Sequence, residues 1–458
     1  MLKLRILYLF VLLLTTSSIY AVKISGYVGN CKGKELKIQM LSNFITREFT
    51  TLDSCIVDED NCYEFVVNQQ DISVCFIDLG QYDAQLIVDT SHDLSVNLPD
   101  YAPLTKKEYL NLYFKKESVL LYDEQFDDMN FHIKELEFFV TKELKNVMDS
   151  ENPQFAALAS IDSVEQKLKD LECDFLRNYL TYTSSILYQF AHPERINLLK
   201  ELFLQDTEVD LSNPAYTNLF LSEYINPFIA SDGLFYSEVS DAILNQKLSE
   251  DFIDNIASMY SLKNVSVAEL LSVKGFYSAT LQNDNYQKDI VKLMEQLESL
   301  ITTDEIKKLC RSTRLYIEKM MVGSPAPYYE LNTIKDRKAP TILRRKEILL
   351  SFVNTNIYDC QRHLQLLKEY KEIYKREIEV IVVCVHQNPQ ELERFFRRNK
   401  FDNLYFVLPD NENKILDDYN VKILPSYYFI DKEGCFAYSP MSSPEEDMLY
   451  ELQQYFGY

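Results

Sequence analysis

At 458 residues, with 47% hydrophobic and 26% charged residues and only 9 glycines, the sequence has a globular composition and none of the marks of a disordered chain. Its length exceeds what one ordinary core fills and points to about three domains. A net charge of −23 excludes nucleic acid and anionic membrane surfaces as electrostatic partners.

In chain order, Lys3 and Arg5 precede an apolar stretch, Ile6 to Leu14, and a small, polar approach to Ala21. This is the pattern of a secretory signal, residues 1–21, cleaved after Ala21. The apolar run is too short to span a bilayer, and no later segment is apolar enough. An exported protein without an integral membrane segment after cleavage is therefore expected, a retained anchor being the alternative. No cysteine sits at the junction, which argues against lipoprotein processing.

Residues 22–100 alternate with period two in short runs: Val22–Val28, Glu35–Met40, Thr46–Ile56, Cys62–Val67, Ile72–Leu79, Ala84–Val88 and Leu94–Leu98. Turn residues punctuate them, and the spacing predicts a small β-sandwich. Nine cysteines leave at least one thiol free or paired with another chain. Cys55 and Cys62 flank the turn at Asp58 to Asn61. As diagonal neighbours on one face they stand about 7–8 Å apart, beyond disulfide reach, and are expected to be small buried residues.

Residues 101–321 switch to helical period, as in Leu136–Met148, Ile161–Leu180, Val239–Ala257 and Gln287–Cys310. Prolines 153, 193, 214 and 227 fall between helices. This central all-α region carries no catalytic or metal-ligand spacing. His132 and His192 are isolated and read as surface or packing residues.

Residues 323–458 alternate strand and helix. Lys346–Val353 reads as a strand and Cys360–Lys375 as a helix with Cys360, Leu364 and Leu367 on one face. Ile378–Val385 is apolar enough for a central strand. Asn388-Pro389-Gln390-Glu391 starts a helix with a capping Asn and Pro in the first position. Strand Asn403–Leu408, a short helix near Lys414–Tyr419, the hairpin Ser426–Ile430 with Cys435–Ser439, and a last helix from Ser443 complete a β-α-β-α-β-α-β-β-α order. That order means a mixed sheet covered by helices, an α/β domain.

Several details resemble the thioredoxin fold of TlpA-like thiol–disulfide oxidoreductases. Gly323-Ser324-Pro325-Ala326-Pro327 matches the family's opening, and Leu349-Leu350-Ser351-Phe352 the strand that feeds its active site. Tyr419-Asn420-Val421, Leu424-Pro425-Ser426 and Tyr428-Phe429-Ile430-Asp431 match the stretch that carries the cis-proline in that family. Upstream, the β-domain and helical linker, with Tyr216 in Asn213-Pro214-Ala215-Tyr216, resemble envelope proteins of Gram-negative bacteria. The resemblance implies a periplasmic or cell-envelope location.

The sequence departs from the family where the chemistry belongs. The family's F-W-A-x-W-C-x-x-C is here Phe352-Val353-Asn354-Thr355-Asn356-Ile357-Tyr358-Asp359-Cys360. Ile357 stands at the position of the nucleophilic cysteine, and only Cys360, at the resolving position, remains. Dithiol exchange needs an attacking thiolate and a second thiol to release the mixed disulfide. Cys360 lies on an apolar stripe beside Asp359, so burial and a raised pKa are expected; a monothiol site is the alternative, and a Cys360–His363 pair is conceivable at one-turn spacing. Cys384, Cys435 and His386 have no motif support. Leu424 and Pro425 are candidate peptide-binding residues, since the resemblance places their loop beside the active-site helix. Two functions stay open: an exported thioredoxin-like accessory without dithiol activity that binds a protein or peptide partner, or a thiol–disulfide oxidoreductase using Cys360. Neither a metal nor a cofactor is expected.

Overall fold

The computed structural model describes residues 21–68, 72–89, 92–103, 105, 116–121, 128–230, 233–282, 286–333, 346–410, 412–421 and 423–457. Residues 1–20, which carry the secretory-signal reading, lie outside the described residues. The described chain falls into two compact units, 21–103 with 116–313 and, in the second, 105 with 314–457.

The first unit opens with strands β1 (Ala21–Tyr27), β2 (Glu35–Asn43), β3 (Glu48–Ile56), β4 (Cys62–Asn68), β5 (Ser73–Asp78), β6 (Tyr82–Val88), β7 (Leu94–Ser95) and β8 (Glu117–Leu120). They form two open sheets, β4-β1-β7 and β3-β2-β5-β6-β8. Alternate residues of both sheets, such as Ile24, Ile38, Phe65, Ile77 and Leu86, share one buried core, because a pleated strand sends successive side chains to opposite faces. β8 lies in sequence read above as helical; it pairs in parallel with β6, and Lys116 just before it bridges Asp78 and Asp83 at 2.7 and 3.3 Å. Four residues are too few for their period to be legible.

The expectation for Cys55 and Cys62 needs correction. In β4, Tyr63, Phe65 and Val67 point inward, so the same alternation sends Cys62 to the surface. Cys55 is half-buried.

The helical layer comprises α1 (Met129–Met148), α2 (Pro153–Lys169), α3 (Asp174–Thr183), α4 (Ile186–Ala191), α5 (Leu198–Phe203), α6 (Pro214–Glu223), α7 (Ser237–Asn245), α8 (Phe252–Met259), α9 (Val265–Gln282), α10 (Gln287–Leu300) and α11 (Asp304–Lys319). Three stretches read as continuous are each broken in two. Ile161–Leu180 is interrupted between α2 and α3, and Val239–Ala257 at Gln246, which takes a left-handed φ of 50°. Gln287–Cys310 breaks at Ile301–Thr303, where the buried carboxylate of Glu269 accepts from Thr302 N, Thr302 Oγ1 and Thr303 N at 2.6, 2.7 and 3.3 Å. That carboxylate satisfies donors at the start of α11 that would otherwise be orphaned. Asn213 caps α6, with Pro214 in its first turn, and sets Tyr216 fully buried against Tyr182 at a ring distance of 5.2 Å. The side chain of Asn43, 1% exposed, donates to Ser312 Oγ and Thr313 Oγ1 at 2.8 and 2.9 Å.

The second unit is a five-stranded mixed sheet. Its elements are β9 (Glu347–Val353), α12 (Tyr358–Ile373), β10 (Ile378–Cys384), α13 (Pro389–Asn399), β11 (Tyr405–Val407), α14 (Glu412–Asp418), β12 (Ser426–Ile430), β13 (Phe436–Tyr438) and α15 (Met448–Phe456). The strand order is β11-β10-β9-β12-β13. β9, β10 and β11 run parallel and β12 antiparallel to β9, a thioredoxin-like α/β arrangement.

Both faces are covered, which is why β9 and β10 are nearly all apolar. Leu349, Val353, Val380, Val382 and Cys384 meet Cys360, Leu364 and Leu367 of α12 and Met448 and Leu452 of α15 on one face. Leu350, Phe352, Ile381 and Val383 meet Ile415 and Tyr419 on the other. The opening stretch runs along the β12–β13 hairpin: Gly323 N and Ala326 N donate to Phe436 O and Gly434 O. In the hairpin turn Gly434 takes φ +86°, a conformation costly for any residue with a Cβ. Asn388 caps α13 by accepting from Gln390 N. The last helix starts at Met448, later than the expected Ser443, because residues 444–447 form a turn. No helix among the described residues is long and apolar enough to cross a membrane.

Candidate functional site

Register brings the candidate residues together. Ser426 pairs with Phe352, so the loop before β12, with Leu424 and Pro425, lies beside the segment leaving β9 for α12. The Leu424–Pro425 peptide bond is cis. Leu424 is half-buried and touches the cores on both faces of the sheet, while Ile423 in the same loop is 54% exposed. On the facing side Ile357 is half-buried against the core and Tyr358 is 69% exposed. The Arg362 guanidinium sits 5.6 Å from the centre of the Tyr358 ring.

The segment 354–357 is tied down by polar side chains. Fully buried Asn354 donates Nδ2 to Val385 O and His386 O at 2.9 and 3.0 Å and accepts Asn356 N at 2.9 Å. Thr355 donates N and Oγ1 to Gln387 Oε1 at 2.8 and 2.9 Å, and Gln361 Nε2 donates to Thr355 O at 2.7 Å. The loop is therefore fixed to the exit of β10. Ile357 occupies the N-cap of α12 and makes no side-chain capping bond.

Cys360, in the first turn of α12, is 0% exposed. Burial pushes its thiol pKa up to about 11; the Asn354 backbone N–H opposes this and Asp359 adds to it. A thiol so placed holds little thiolate at neutral pH, and the thiolate is the nucleophile. Cys384 shares the same core cluster; burial raises its pKa, and nearby Cys360 raises it further. Cys435 opens the hairpin and is half-buried. No disulfide joins the described cysteines.

His363 does not turn to Cys360 for a partner. Its Nδ1 lies 2.7 Å from the buried hydroxyl of Tyr427, and its Nε2 lies 3.6 Å from Glu445, which also pairs with Arg362. Burial lowers the His363 pKa, with Asp359 pulling the other way. Tyr427, two residues after Pro425, was not among the candidates; 64 residues separate it from His363, and no local pattern links them. His386 pairs with Glu412. No group of His, Cys, Asp and Glu among the described residues could hold a metal ion.

A family model described as thioredoxin-like matches residues 345–435. The thiol-disulfide oxidoreductase ResA of Geobacillus kaustophilus (strain HTA426) is 31% identical over 126 residues, 27% of this chain and 71% of that protein. ResA of Geobacillus thermodenitrificans (strain NG80-2) is 30% identical over 115 residues, 25% of this chain and 65% of that protein. Among solved structures, a thiol-disulfide oxidoreductase from Bacteroides fragilis NCTC 9343 shares 15% identity, with 29% of this chain and 99% of that chain covered and a TM-score of 0.26.

Proposed function

Because the chain belongs, through its C-terminal unit, to the thioredoxin-like family of ResA thiol-disulfide oxidoreductases, we propose that it keeps the family's scaffold for binding and has lost dithiol exchange. The observation that carries this reading is the pair of positions at the start of α12: Ile357 has no thiol, and Cys360 is 0% exposed. Exchange needs two thiols that meet, one of them ionised and open to attack. Neither condition is met by Ile357 with a buried, protonated Cys360. The alternative, an oxidoreductase that works through Cys360, has the relatives' activity on its side and the complete burial of that thiol against it.

The binding surface in this reading is the apolar ledge of Ile357, Tyr358, Ile423 and Leu424 beside Pro425. An extended peptide with apolar side chains is its proposed partner. Export, with residues 1–21 as the cleaved signal and the cell envelope as destination, belongs to the same proposal. The domain limits proposed are 22–100, 101–321 and 323–458.

Display of random peptides against the full chain tests the surface. Apolar peptides retained by the wild type and released by Leu424→Asp, at unchanged circular dichroism, are the expected result. Identical peptide sets for the two proteins count against the ledge.

A further inference from the structure

We propose that the cleft in the first unit, between the outer face of the sheet β3-β2-β5-β6-β8 and the helical layer, binds an uncharged oligosaccharide. The cleft encloses about 1150 Å³, somewhat above the roughly 300–1,000 Å³ of small-molecule pockets, which suits several linked rings better than one small molecule. Val74 and Phe76 of β5, Gln85 of β6 and Ser118 of β8 line the sheet side, and Tyr179 of α3 with Asn218 and Ser222 of α6 the helical side.

Three features select the ligand class. First, β5 and β6, which carry Val74, Phe76 and Gln85, are hydrogen-bonded to strands on both sides, so this part of the cleft offers a ligand side chains and not a free backbone edge, and only β8, paired with β6 alone among the described residues, ends the sheet there. An extended peptide recognised by strand pairing needs such an edge. Second, Gln85, Ser118 and Asn218 make no side-chain hydrogen bond among the described residues and line the same cleft as apolar Val74 and Phe76, Phe76 being the strand partner of Gln85. Neutral donors and acceptors next to apolar surface match a sugar ring, whose edge is hydroxylated and whose faces are C–H. An acyl chain would cover those amides without giving them partners, at a desolvation cost. Third, the charged lining residues are Glu137, Glu223 and Glu305 against Arg47 and Lys308. In a chain of net charge −23, that lining gives an anionic glycan no net attraction.

This inference is independent of the reading of Cys360. It is tested on the full chain by titration calorimetry with maltohexaose, cellohexaose, xylohexaose and mannohexaose as neutral probes. Polygalacturonate, oleate and a mixed decapeptide pool are the counter-probes. The expected result is binding of at least one neutral hexaose, weakened about tenfold by Gln85→Leu and by Asn218→Leu, as loss of a ligand hydrogen bond predicts. Asn218 is exposed, so its variant should fold even if the Gln85 variant does not, and an unchanged melting temperature confirms it. The inference fails if no neutral hexaose binds, if binding survives in a folded Asn218→Leu variant, or if a counter-probe binds the cleft in preference.

Discussion

Cys360 and Cys62 illustrate how position decides the fate of a thiol. Cys62 opens β4 and Cys360 lies in the first turn of α12, but Cys62 falls on the outward parity of its strand and Cys360 on the inward stripe of its helix. Iodoacetamide labelling of the native protein followed by peptide mass spectrometry should modify Cys62 first and leave Cys360 and Cys384 unmodified until denaturant is added. Early labelling of Cys360 would contradict its burial. His363 supplies a second residue-scale prediction. Burial lowers its pKa, so the folded protein binds that proton less readily than the unfolded chain. The resulting stability is complete above the ordinary histidine value of about 6.5 and is lost as pH falls through the lower folded value. Urea unfolding at pH 7.5 and 5.5 should show a smaller decline for His363→Gln than for the wild type; equal declines would contradict this. Tyr427→Phe removes the partner of Nδ1 and should cost about 1–3 kcal/mol, read as a lower urea midpoint.

At the scale of elements, sequence periodicity was informative wherever one face of an element is buried. β1 to β6 and the strands and helices of the second unit were legible because alternation or a three-to-four spacing repeats over enough residues. The breaks between α2 and α3, α7 and α8, and α10 and α11 were not, since apolar periodicity continues across them. What ends α10 and starts α11 is Glu269, more than thirty residues away from its partners Thr302 and Thr303. Glu269→Ala removes this buried cap and should destabilise the first unit by about 1–3 kcal/mol, measured by urea unfolding; an unchanged midpoint would show that α11 starts without it. At the candidate site, the inward face of Cys360 was legible. The ties of Asn354, Thr355 and Gln387, and the Tyr427–His363 contact, join residues far apart in the chain and were visible only in three dimensions.

For the molecule as a whole, the likeness to known oxidoreductases covers 27% of the chain in the first ResA comparison, and the strand-rich and helical regions upstream have their own core and their own cleft. We propose recognition at both units, and the central proposal is that the thioredoxin-like unit performs no dithiol exchange. Reduction of insulin by the full-length protein, with dithiothreitol as electron source and Cys360→Ser as control, tests that claim most directly. Wild type and Cys360→Ser should both match the protein-free rate. Turnover by the wild type that vanishes in Cys360→Ser would contradict the account.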